Sequence, residues 1–76
     1  MSLNYVKIDI SKGSLKNGKI LTLYLYDLFG RIIKKELYIN NNNTIELQSA
    51  SLASGKYFIL IRDEDGGFLS NKFIVR

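Results

Sequence analysis

Apolar residues recur along this chain with a period of two, carried by β-branched and aromatic types and broken by polar punctuation roughly every ten positions. In Tyr5-Val6-Lys7-Ile8-Asp9-Ile10, Val6, Ile8 and Ile10 share one face while Lys7 and Asp9 take the other, as a strand with one wet side requires. A polar stretch over 11–19, with Gly13 and Gly18, separates it from Ile20-Leu21-Thr22-Leu23-Tyr24-Leu25-Tyr26. That second run is apolar on both faces and predicts a central strand.

Asp27-Leu28-Phe29-Gly30 has tight-turn chemistry: Asp caps the backbone two residues on, and Gly30 accepts the positive φ that closes a hairpin. The return arm, Arg31 to Ile39, puts Ile33, Lys35, Leu37 and Ile39 on one face and Ile32, Lys34, Glu36 and Tyr38 on the other. It predicts an edge strand whose lysines discourage pairing with other molecules. Asn40 to Asn43 read as a turn tract, because Asn tolerates the left-handed region and bonds its own backbone. Thr44-Ile45-Glu46-Leu47 alternates as a short strand. Ser49 to Ser54 is small and polar around Leu52, expected to plug the core from a loop that Gly55 ends. A strand from Lys56 to Asp63, a turn at Glu64-Asp65-Gly66-Gly67 and a last strand from Phe68 to Val75 complete the chain before Arg76. The fold this predicts is all-β, an Ig-like antiparallel β-sandwich of about six to seven short strands.

At 76 residues and 46% apolar content the chain is one domain and is built to fold. A chain this short buries only about 60% of the surface its unfolded form exposes, which leaves little room for a deep active site. No Cys means no disulfide framework and no thiolate metal site, and no His removes the commonest general base and metal ligand. Eleven Lys and Arg against seven Asp and Glu give +4, a mild excess that does not choose a partner. The longest apolar run, Tyr57 to Ile61, is far short of the roughly 18 to 20 residues of a membrane span. The N-terminus does not follow a signal-peptide pattern, and Met1-Ser2-Leu3 resembles an expression leader ahead of an excised fragment.

Each chemical motif has a plainer reading beside it. Asp27-Leu28-Phe29-Gly30 holds the letters of a kinase metal motif out of order, without a phosphate loop or catalytic loop. Asp63-Glu64-Asp65 suggests calcium, yet lacks the alternating ligands and distant closing carboxylate of a calcium loop. A serine–lysine nucleophile pair has no local signature and no cavity to dry it. Tyr5, Tyr24, Tyr26, Tyr38 and Tyr57 could stack on sugars, although β-propensity alone places them. The lysines are scattered and do not interleave with aromatics as in a nucleic-acid reader, so no nucleic acid is expected.

Three features rise above a generic β domain: Leu23-Tyr24-Leu25-Tyr26-Asp27-Leu28-Phe29-Gly30-Arg31, then Leu52-Ala53-Ser54-Gly55-Lys56-Tyr57-Phe58, then Asn71-Lys72-Phe73-Ile74-Val75-Arg76. In that order and spacing, over about residues 4 to 76, they resemble the C-terminal sorting domain of type IX (Por) secretion system cargo, type A. That family shows an Asp-x-x-Gly turn after an apolar strand, a Leu-x-x-Gly-x-Tyr segment, and a short basic-apolar strand ending at Lys or Arg. The departure is at the front, where the family usually carries a Pro-Asn-Pro-like segment and this chain has no proline. Either the fragment begins after that segment or this member lacks it. A lost first strand would leave a raw sheet edge through which the fragment could self-associate.

With residues 1–3 set apart as leader, the resemblance implies 4–76 as one sorting domain of a larger exported protein such as a hydrolase. The domain would be non-catalytic, need no cofactor or metal, and be recognised by outer-membrane secretion components after passage through the periplasm. Sortase-like processing and attachment to anionic lipopolysaccharide would follow, leaving the cargo secreted or at the cell surface. By similarity, partner recognition falls to Gly55, Tyr57, Lys72 and Arg76, with Asp27 and Gly30 supporting the turn. A rival reading is an accessory fibronectin-III-like or carbohydrate-binding module using the tyrosines, and a third is a spacer whose only task is to fold.

Overall fold

The computed structural model describes residues 5–11, 15–16, 18–40 and 43–76. The expected leader, residues 1–3, and Asn41 and Asn42 of the turn tract lie outside the described residues. Six strands are present among those described: β1 (Tyr5–Asp9), β2 (Ile20–Tyr26), β3 (Ile32–Ile39), β4 (Thr44–Gln48), β5 (Gly55–Asp63) and β6 (Phe68–Val75). They form two antiparallel sheets, a β1-β4 pair and a four-stranded sheet in the order β3-β2-β5-β6. The all-β sandwich that period-two patterning predicts is the fold observed.

The core is the set of alternate positions that the pairing turns to one side. Leu21, Leu23 and Leu25 of β2 and Tyr57, Ile59 and Ile61 of β5 are buried. They form one cluster with Ile8 and Ile10, with Ile45 and Leu47 of β4, and with Leu15. Burying each such aliphatic side chain is worth about 1.5 to 3 kcal/mol, which is how so short a chain offsets its lost conformational entropy. Leu52 is half-buried against this cluster, the loop plug expected of it.

β2 is central in its sheet, between β3 and β5, as its apolar pattern predicts. Its second face is nevertheless open: Ile20 is 52% exposed and Tyr24 and Tyr26 are only half-buried. The smaller sheet packs on one side of the larger, so among the described residues the other side has no second layer.

β3 is the edge strand its mixed pattern announces. Pairing of Leu21 with Tyr38, Leu23 with Glu36 and Leu25 with Lys34 sends those three β3 residues to the core side and turns Leu37 and Ile39 outward. A two-stranded upper layer is too narrow to cover this flank. Lys34 and Glu36 therefore stay accessible enough to meet at 3.9 Å, and the Tyr38 hydroxyl donates to Glu36. Burial first, and then the adjacent carboxylate, push the Tyr38 phenol upward.

Asn40 is a buried anchor rather than a turn tip. Its N–H donates to the Lys19 carbonyl at 2.9 Å, its own carbonyl accepts from Gly18 N–H at 2.9 Å, and its Nδ2 donates to the Lys16 carbonyl at 2.9 Å. Asn43 does take the left-handed conformation, with φ 54°, and its carbonyl accepts from Ile10 N–H.

Candidate recognition site

The β2–β3 turn is built by one carboxylate. Asp27 Oδ1 accepts from Phe29 N–H at 2.9 Å and Arg31 N–H at 3.0 Å, and Oδ2 accepts from Arg31 Nε at 2.7 Å. Gly30, at φ +80°, lets the chain reverse and donates its N–H to the Asp27 carbonyl at 3.1 Å. Desolvation of the Asp27 carboxyl works to raise its pKa, but the bonds from the Arg31 backbone and side chain and from Phe29 prevail and hold it below the usual value. Asp27 and Gly30 thus sit where the turn reading puts them. The tip they create is apolar and exposed, Phe29 at 81%, with the Arg31 guanidinium 5.5 Å from its ring centre.

The β5–β6 turn repeats the design. Asp63 Oδ1 accepts from Asp65 N–H at 2.9 Å and Gly67 N–H at 2.7 Å, with Gly66 at φ +89°. The carboxylate that a calcium reading would claim is therefore engaged by the turn backbone. No group of three or more acidic side chains placed to hold a metal occurs among the described residues. Where Arg31 closes the first turn, the second has Gly67, and Asp63 Oδ2 is buried without a hydrogen-bond partner. Asp65 is instead joined to Lys19 at 3.1 Å, a bond and a charge that raise the lysine pKa.

Sheet register brings the three sequence motifs to one end of the molecule. β2 runs into the Asp27 turn where Tyr26 pairs with Phe58, and β5 starts where Gly55 pairs with Val75. Turn 27–31, loop 51–57 and the end of β6 are consequently neighbours, although they are far apart in sequence. A cleft of about 460 Å³ lies between the first two, with Asp27, Phe29 and Ile33 on one wall and Leu52, Ala53 and Tyr57 on the other.

The predicted recognition residues are placed unequally around this end. Gly55 opens β5 at φ +154°, a conformation that side-chain-bearing residues rarely adopt, with open space around it. Tyr57 is only 7% exposed: its ring stacks on Phe73 at 5.6 Å and its hydroxyl donates to the Ala53 carbonyl at 2.6 Å, tying loop 49–54 to the sheet. Lys72 is exposed on the outer face of β6 opposite Phe58, and Arg76 is exposed just past the strand. Gly55, Tyr57 and Arg76 are thus brought to the same end, with Lys72 displaced along β6.

The five tyrosines do not form one platform. Tyr38 and Tyr57 turn to the core side and Tyr5 belongs to the smaller sheet, leaving Tyr24 and Tyr26 stacked at 6.4 Å on the outer face. Pattern reading missed Phe29 and Leu28 as exposed features of the site. The available signal was two large apolar residues in the middle of a turn, where polar types are the norm.

Fold and site together define a small two-layer β domain whose sequence motifs converge on one end. The family model for the secretion system C-terminal sorting domain matches residues 2–76, and the chain belongs to that family. Among curated proteins and among solved structures, none gives a significant match. Membership assigns the domain a type IX secretion sorting role, export through that system to the cell surface or outside, and interaction with its machinery. Domains of this family are generally non-catalytic, and no helix among the described residues is long and apolar enough to cross a membrane.

Proposed function

We propose that this domain is a non-catalytic address that the outer-membrane machinery reads at the end carrying turn 27–31, loop 51–57 and the end of β6. The single observation behind this reading is the convergence of those three segments by sheet register. Arg76 and Lys72 supply positive charge to an acidic partner. Gly55 and Tyr57 act from within, one by backbone conformation and the other by fastening the loop.

The exposed edge of β6 supports strand addition by the partner. Asp63 N–H bonds the Gly67 carbonyl at 2.9 Å, so by antiparallel alternation the odd-numbered residues of β6 bond β5 and Ser70, Lys72 and Ile74 turn their backbone groups outward. In keeping with this, the Lys72 N–H is held by the Asn71 side chain at 2.8 Å. An incoming strand would have to displace that contact. On this reading the cargo is a larger exported protein such as a hydrolase, processed after transport and attached to anionic lipopolysaccharide, and copies of the isolated fragment associate through a free sheet edge.

The test fuses the chain to a reporter in a host that has this secretion system and compares it with Lys72→Ala/Arg76→Ala. Surface delivery should fall at least tenfold while the melting temperature is kept. Undiminished delivery would remove the tail from the recognition surface.

A further inference from the structure

The side of the four-stranded sheet turned away from the β1-β4 layer is apolar, and no strand among the described residues covers it. Leu37 is 71% exposed, Ile39 62%, Ile74 60%, Ile32 59%, Phe68 59% and Ile20 52%. Ile32, which alternation alone would place with Tyr38, joins this side because the register shifts between Leu25 and Tyr26 and pairs it with Tyr26. Exposed apolar side chains scattered singly need no explanation, but with Phe58 of β5 at 38% this set extends over all four strands of so small a domain. The register also fixes the charge of this face. Lys35 pairs with Tyr24, Lys56 with Ile74, Lys72 with Phe58 and Arg62 with Phe68, and no carboxylate stands at a paired position of this face. Glu36 points to the core side, and acids approach this face at one corner, where Asp63 and the exposed Glu64 of the β5–β6 turn line a hollow with Ile20, Thr22, Tyr24 and Arg62.

We propose that this face is a docking surface for a protein partner presenting an apolar sheet that bears carboxylates. The inference rests on the sorting role above and takes that partner to be a component of the secretion machinery. A second copy of the chain fits poorly, because its matching face would bring four cations against four, with acids only at the Arg62 corner. A lipid surface fits less well than a protein one. Lys56 and Arg62 stand at the two ends of β5 and flank Phe58 and Leu60, and the isoleucines lie not on a protruding wedge but on a pleated surface of the kind that interdigitates with another sheet about 10 Å away. Lys35 is already held over the Tyr24 ring at 5.7 Å, so part of the charge is pre-positioned.

Size agrees with a passenger that must be let go. Four strands about 4.8 Å apart, each contributing about seven residues at roughly 3.4 Å, make a face of roughly 19 by 24 Å. That is on the order of 450 Å² a side, below the roughly 800 Å² of a standard stable complex and in the range of transient contacts.

The test places a photo-crosslinking amino acid at Leu37, or at exposed Glu46 on the other sheet, in the full chain fused to a reporter in a secreting host. Cross-linking from position 37 to an identified secretion component, absent from position 46, is expected. Lys35→Glu/Arg62→Glu should cut both that product and delivery at least tenfold, and Lys35→Arg/Arg62→Lys should restore them. Thermal melts keep the comparison to folded variants, and should the reversal variant unfold, the cross-linking pair decides. Products formed only with a second copy or with lipid, equal products from both positions, or no product while delivery continues would overturn the proposal. If the face variants deliver normally and Arg76→Ala, past the end of β6, does not, docking on this face is refuted and the sorting reading stands. If all deliver normally, both fall.

Discussion

Replacing Tyr57 by Phe separates two roles that family resemblance merges. The ring would stay in place, 7% exposed and stacked on Phe73, and only the 2.6 Å bond to the Ala53 carbonyl would go. A neutral hydrogen bond of this kind contributes about 1 kcal/mol net, and exposed Ala53 can offer its carbonyl to water, which keeps the loss near that figure. Domains carry roughly 0.05 to 0.15 kcal/mol per residue, so a chain of this length has on the order of 4 to 11 kcal/mol in all. A loss of about 1 kcal/mol should lower the melting temperature by roughly 4 to 8 °C. Tyr57→Ala is a different experiment, since about 3 to 5 kcal/mol for the emptied site, with the ring stacking lost as well, rivals the whole stability. The assay is a circular-dichroism melt of Tyr57→Phe, limited proteolysis of loop 49–54, and reporter delivery. The expected result is a lower melting temperature, faster loop cleavage, and delivery reduced no more than stability explains. An unchanged melt with intact loop protection would refute the fastening role. An unchanged melt with abolished delivery would show instead that a partner reads the hydroxyl itself.

Gly30→Ala should cost about 1 to 2 kcal/mol with no steric contribution, because φ is +80° and open space surrounds the site; an unshifted denaturant midpoint would contradict this. Gly67→Arg should raise the melting temperature by a few degrees, by giving Asp63 Oδ2 the guanidinium that Arg31 gives Asp27, and the gain should vanish in an Asp63→Asn background. The Asp27 carboxyl has its pKa lowered by folding, so its contribution is fully present above the ordinary value of 3.8 and is lost as pH falls through the lower folded one. Acid unfolding curves of the wild type and Asp27→Asn should therefore converge at low pH and separate above it, and parallel curves would count against the turn network.

Much of this architecture was legible in the chain because period two and turn chemistry are local. Val6, Ile8 and Ile10 face the core as their spacing requires, and both Asp-x-x-Gly segments close hairpins because Asp and Gly satisfy a turn within five residues. The edge position of β3 was readable from its lysines. Asn40 misled, because a residue suited to turns is equally suited to bonding several backbone groups at once when buried. Which tyrosines share a sheet face was not readable at all, since a period-two pattern says which residues share a face of one strand and nothing about what lies above it.

The chain by itself determined the strands, the turns and the family, all of which depend on residues near one another or on their order. Tertiary structure alone decided that segments 27–31, 51–57 and 73–76 meet at one end, because antiparallel register joins positions distant in sequence. It also decided that an apolar, cationic sheet face lies open. A two-stranded layer covers only one side of a four-stranded sheet, and how wide each layer grows is a property of the pairing, which no single strand carries.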